Sequence, residues 1–183
     1  MAPYLKPLYD TPISIDQGDG SYVWDVEGVE YLDFFGGVLT TMIGHNNSEV
    51  TKAIELQANK VLHTSTLYLS EPMIELAEEI AAISGIPDAR VFFTASGSEA
   101  NDTALMLATN FRSSNEVLAV RNSYHGRTFA TQAVTGQSTW LASRISGLSV
   151  NYVQGPYRLS SPFEGVPDEN ITEMCVADLQ QIM

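Results

Sequence analysis

A short apolar run, Val91-Phe92-Phe93-Thr94, passes through Ala95-Ser96-Gly97 straight into an amphipathic stretch that begins at Ser98. A run that is apolar throughout, rather than alternating, reads as a strand covered on both faces, and such strands belong to parallel sheets. The pattern returns at Val117-Leu118-Ala119-Val120 and, more weakly, from Val150 to Val153. The helix after Ser98 is expected to reach Phe111 with Ala100, Ala104, Leu107, Ala108 and Phe111 facing inward. Strands alternating with helices imply an α/β fold on a parallel sheet.

Upstream, residues 1–20 read as an extended arm punctuated by Pro3, Pro7, Pro12, Gly18 and Gly20. Two β-rich runs, Tyr22 to Val26 and Glu30 to Phe34, flank Glu27-Gly28-Val29 and predict a hairpin, which Gly36-Gly37 ends. A helix is expected to start near Asn46–Ser48, where Asn46 and Glu49 have capping-box spacing, and to turn Val50, Ile54, Ala58 and Val61 to one side. A second starts at Ser70, tolerates Pro72 in its first turn, buries Met73, Ala77, Ile80 and Ile83, and stops at Gly85 and Pro87. Pro156 to Pro167 reads as loop, and Ala177 to Met183 as the start of a further helix.

Composition narrows the function classes. The 183 residues carry 22 Asp and Glu against 9 Lys and Arg, a formal net charge of −13, which disfavours nucleic acid or an anionic membrane as partner. The single cysteine, Cys175, excludes an internal disulfide framework and a cysteine-cluster metal site. No apolar run is long enough for a transmembrane helix, and the first ten residues lack the apolar core of a secretory signal. The expectation is a soluble, cytoplasmic protein without a metal.

Two strand-to-helix junctions could carry chemistry. At Thr94 to Asn101, free N–H groups and the positive end of a helix dipole would point outward at the carboxyl edge of the sheet. Gly97 would let an anion approach, and the hydroxyls of Ser96 and Ser98 could donate to it. The spacing is neither that of a Walker loop nor that of a dinucleotide fingerprint. A plain serine N-cap accounts for the same residues. The second junction, Asn122 to Thr128, follows the Val117–Val120 run and by doubly wound logic lies near the first. Tyr124, His125, Gly126 and Arg127 could offer a stacking face, a donor and a carboxylate clamp, or be an ordinary loop.

Taken together, Phe93-Thr94-Ala95-Ser96-Gly97-Ser98-Glu99-Ala100-Asn101 and Tyr124-His125-Gly126-Arg127-Thr128 resemble the class III (omega) aminotransferases, pyridoxal-phosphate enzymes of fold type I. Tyr22 to Gly28, Tyr31-Leu32-Asp33 and Gly44-His45 look like the family's N-terminal hairpin and Gly-His turn. His63 to Leu69 and Gly155-Pro156-Tyr157-Arg158 look like the subgroup that includes alanine–glyoxylate aminotransferase 2. The resemblance implies that Ser96, Gly97 and Ser98 hold the phosphate of pyridoxal 5′-phosphate, Ser98 with its hydroxyl. It implies that Tyr124 stacks on the pyridine ring within a motif that includes His125, and that Arg127 holds a substrate carboxylate. Gly36 to Thr41 would line the substrate side, where Val38 and Leu39 bring no charge; Glu99 reads as a helix-dipole carboxylate rather than a catalytic one. Residues 1–47 would then be an arm and hairpin of a small domain, and 48–183 the front of the large cofactor domain.

The departures from the family pattern are informative. Gly44-His45 is followed by Asn46-Asn47-Ser48 where relatives read x-His-Pro, so His45 is expected to be a structural turn residue. The only lysines, Lys6, Lys52 and Lys60, precede the phosphate turn, whereas the family's Schiff-base lysine comes well after it. The chain thus looks like the N-terminal part of an aminotransferase, one that moves an amino group from an amine or amino acid to a 2-oxo acid and works as a homodimer. Alone it is expected to be inactive and, with an uncovered strand edge, poorly soluble. The alternative is a naturally short, non-catalytic chain that binds pyridoxal phosphate or pairs with a full-length relative.

Overall fold

The structure, a computed structural model, describes residues 12–141, 145–157 and 162–183. The chain divides into two compact units, Met1–Ile80 and Ala81–Met183.

The first unit opens on a three-stranded antiparallel sheet in the order β1 (Ile15–Asp19), β2 (Tyr22–Asp25), β3 (Glu30–Leu32). The arm read as merely extended is therefore partly a strand: Gln17 pairs with Trp24 and Asp19 with Tyr22, with an irregularity between Ile15 and Gln17. The hairpin is where the sequence puts it, Val23 opposite Tyr31, though both strands end a residue or more early. Asp25 explains the turn. Its carboxylate accepts the N–H groups of Glu27 and Val29, each at 2.9 Å, and the hydroxyl of Tyr31 at 2.9 Å, while Gly28 takes a positive φ of 81°. These bonds to the ionised form, that from Val29 first, hold the Asp25 carboxyl below its ordinary pKa and raise that of Tyr31.

Past the hairpin, Asp33 caps the next turn by accepting from Phe35 N at 2.8 Å and Gly36 N at 3.1 Å. Its other oxygen lies 2.8 Å from His45 Nε2, and His45 is itself bridged to Gly20 through the backbone. The hydrogen bond to His45 is the main cause of the low pKa of Asp33. Helix α1 (Ser48–Ala58) is capped by Asn47, whose side chain accepts from Glu49 N and Val50 N. The expected cap, Asn46, instead adopts φ 50° and cannot act as one. Helix α2 (Glu71–Ile83) follows as expected. The burial expected of both helices is not found: neither has a buried residue, and Ile83 is 82% exposed.

The second unit differs from expectation at its start. Among the described residues Val91–Thr94 forms no strand and pairs with no strand of either sheet; Phe92 stays 76% exposed. Helix α3 (Gly97–Arg112) starts one residue early, and its inward face is not the apolar stripe: Leu107 and Phe111 are exposed, whereas Asn101, Asp102, Leu105 and Thr109 are half-buried. Strand β4 (Glu116–Val120) then pairs in parallel with β5 (Ser149–Val153), Val117 opposite Val150, as the apolar runs predict. Between them lies α4 (Phe129–Val134), a short helix not anticipated, which contacts both α3 and β4. The helix expected from Ala177 begins earlier, as α5 (Asp168–Ile182), where Pro167 stands at the N-cap and Asp168 and Glu169 in the first turn complement the helix dipole. Of the loop expected from Pro156 to Pro167, residues 158–161, and with them Arg158, lie outside the described residues, as do residues 1–11 with Lys6.

Among the described residues the first unit buries Val23, and the second unit has a core of Ala119, Ala133, Val134, Phe163 and Ile171, joined there by the fully enclosed Thr131 and Thr135. Within the second unit this core sits under β4, α4 and β5, so it supports the loop that follows β4.

Candidate functional site

The N-terminus of α3 is set by reciprocal capping. Ser96, in extended conformation, accepts from Glu99 N at 3.2 Å, and the Glu99 carboxylate accepts from Ala95 N at 2.8 Å. Glu99 is thus occupied with the helix start. The next two donors, Gly97 N–H and Ser98 N–H, bond to no described residue. Gly97 has no positive φ, and a Cβ there would meet nothing within 4 Å, so the chain itself does not require glycine at this turn and the position faces open space. Ser98 Oγ accepts from Arg127 N at 3.2 Å, which leaves its own O–H free to donate elsewhere. Two orphan N–H groups, a free hydroxyl, an open approach and a helix dipole fit a phosphate monoester.

The second junction is brought to the first. After β4 the chain turns at Asn122, and His125 N donates to Thr135 Oγ1 at 3.1 Å, anchoring the loop to α4. His125 O accepts from Asn101 Nδ2 at 2.7 Å, and the hydroxyl of Thr128 donates to Asp102 Oδ1 at 2.7 Å. Thr128 is also the N-cap of α4, in a capping box with Thr131. Gly126 is buried at φ 137°, where an added Cβ would run into Ser98 Oγ and lie 2.8 Å from Thr131 Oγ1. Only glycine permits this approach.

The ring of Tyr124 meets Trp140 edge to face, with centroids 5.3 Å apart and planes at 83°, and about half its surface, 48%, remains open. Trp140 ends a single 3-10 turn, Ser138–Trp140. His125 is half-buried and Arg127 exposed. Ser96, Gly97, Ser98, His125 and Arg127 therefore lie along one seam between α3 and the loop, and Tyr124 stands beside it. Asn101, Asp102, Thr131 and Thr135, which hold that seam together, were not singled out by sequence reasoning. The signal was present in Ser98, Asn101 and Asp102, polar at i, i+3 and i+4 on one helix face.

A profile of the family described as Aminotransferase class-III matches residues 4–182. The acetylornithine aminotransferase of Methanothermobacter thermautotrophicus is 45% identical over 129 residues, covering 70% of this chain and 33% of the relative. The alanine–glyoxylate aminotransferase 2 homolog 2, mitochondrial, of Arabidopsis thaliana is 35% identical over 185 residues, covering 100% of this chain and 37% of the relative. Among solved structures, the omega transaminase from Pseudomonas jessenii in complex with PMP superposes with a TM-score of 0.82 at 28% identity, over 97% of this chain and 43% of that one. The chain thus spans roughly a third of the length of the curated relatives it matches. With the match running through both junctions and the α/β fold shared, the chain belongs to the class-III aminotransferase family, whose cofactor is pyridoxal 5′-phosphate.

Proposed function

We propose that this chain carries the phosphate-anchoring and ring-stacking part of a pyridoxal-phosphate aminotransferase site. The enzyme to which it contributes moves an amino group from an amine or amino acid to a 2-oxo acid. The observation that carries the reading is the meeting of the two junctions, in which Arg127 N–H donates to Ser98 Oγ at 3.2 Å. Gly97 N–H, Ser98 N–H and the Ser98 hydroxyl hold the phosphate, and the Ser96 hydroxyl, which uses only a lone pair in its cap, has a proton left to contribute. Tyr124 presents its open side to the pyridine ring, His125 completes the loop against it, and the Arg127 guanidinium receives a substrate carboxylate. When bound, the cofactor supplies the electron sink; the residues here orient it.

The three lysines all precede the phosphate turn, and we assign none of them to the cofactor carbonyl. The 183 residues by themselves are therefore proposed not to transaminate. In the same reading residues 1–47 belong to a small domain and 48–183 to the large one, the whole enzyme is a cytoplasmic homodimer, and the single cysteine suits that reducing compartment. A second reading, a non-catalytic chain that pairs with a full-length relative, is supported by the exposed Ile54, Ile83 and Phe111, apolar positions suited to a covering chain.

Pyridoxal 5′-phosphate titrated into the purified chain in a calorimeter is expected to bind reversibly, and Tyr124→Ala to weaken it about tenfold through loss of one aromatic contact. Absence of binding overturns the proposal. Transamination by the 183 residues alone overturns the assignment of the lysines.

A further inference from the structure

We propose that Asn101 and Asp102 are positioning residues that lock the stacking loop onto the phosphate turn; the inference rests on the cofactor reading above. Ser98, Asn101 and Asp102 share one face of α3, and each holds a different atom of the loop. Ser98 Oγ accepts from Arg127 N at 3.2 Å, Asn101 Nδ2 donates to His125 O at 2.7 Å, and Asp102 Oδ1 accepts from the Thr128 hydroxyl at 2.7 Å. The partners are 24 to 29 residues apart in sequence, so nothing local would otherwise fix their separation.

The loop from Asn122 to Arg127 has no sheet ladder of its own, and the carbonyl that Asn101 takes belongs to the residue following Tyr124. A ligand with a phosphate at one end and an aromatic ring at the other must satisfy the α3 terminus and Tyr124 at once. The two holds set the spacing between those subsites before the ligand arrives, which spares the ordering that binding would otherwise require. Inorganic phosphate needs only the α3 terminus. The two ligands therefore separate positioning from plain support of the helix.

The test is calorimetric titration of the full chain with pyridoxal 5′-phosphate and, separately, with inorganic phosphate. Asn101→Leu, similar in size and neutral, is expected to weaken pyridoxal phosphate about tenfold, the worth of one hydrogen bond, and to leave inorganic phosphate within about twofold. Asp102→Asn keeps an acceptor for Thr128 and is expected to bind like the parent. Asp102→Leu, equally uncharged but unable to accept, should bind pyridoxal phosphate about tenfold more weakly than Asp102→Asn. Equal losses for both ligands in Asn101→Leu, or equal affinity in the two Asp102 variants, would overturn the lock. A parent chain that binds neither ligand would overturn the cofactor reading and this inference with it, whereas normal binding by all variants would overturn the inference alone.

Discussion

Helices α1 and α2 carry the regular apolar stripes that sequence reasoning relies on, yet no residue of either is buried. The segment from β4 to β5 has shorter elements and a core that includes two threonines, yet it encloses Ala119, Thr131, Ala133, Val134 and Thr135. The difference lies in the partners. Between β4 and β5 polar groups find partners within the same segment: Thr135 Oγ1 donates to Thr131 O at 2.8 Å, the Tyr152 hydroxyl to Ala133 O, and Gln137 N to Ser123 O at 3.1 Å. A stripe makes a helix amphipathic, but only a matching surface buries it.

Substitutions can break this contrast. The largest effect is expected from Gly126→Val, which places a branched Cβ at a positive φ and against Ser98 and Thr131, costing the second unit about 3 kcal/mol in urea unfolding. Thr131→Val comes next. It strips a fully enclosed hydroxyl that accepts from the half-buried Thr128 N at 3.0 Å and contacts Thr128 Oγ1 at 2.7 Å, and should cost about 1–3 kcal/mol by the same measurement.

Asp25 sharpens the comparison from the other unit, where polar bonds stand in solvent. Its folded pKa lies below the ordinary 3.8, so its stabilising contribution is fully present above that value and is lost as pH falls through the depressed one. Amide exchange at Glu27 and Val29 should therefore be slow at neutral pH and accelerate, after correction for intrinsic rates, only below about pH 4. Asp25→Asn should flatten that acid transition. The smallest effects belong to Ile83→Ser and Phe111→Ser, at 82% and 85% exposure: each should change the stability of the isolated chain by less than about 0.5 kcal/mol. A larger loss would mean that these faces are already covered within the chain.

Much of the local structure was legible in the sequence, because its causes are local. Asp25, Gly28 and the β-rich runs determine the hairpin, and the apolar runs at Val117 and Val150 become strands of a parallel pair. What was not legible depends on distant partners. Val91–Thr94 has the composition of a buried strand but pairs with no strand among the described residues. The inward side of α3 follows the loop from His125 to Thr128, not its apolar residues, and α4 is too short for periodicity to register although Thr128 and Thr131 mark its start. At the candidate site, the turn at Ser96–Ser98 and the Tyr124 loop were readable as motifs. Asn101 and Asp102 were not, since a polar residue on a helix normally signals solvent and here signals a tether.

The perpendicular contact between Tyr124 and Trp140 has an optical consequence. The chain has only two tryptophans, and the other, Trp24, lies in the hairpin, so Trp24→Phe would leave a single indole beside the proposed ring subsite. A chromophore that absorbs where indole emits would quench that light on arrival. The seam thus contains its own reporter of occupancy, independent of turnover.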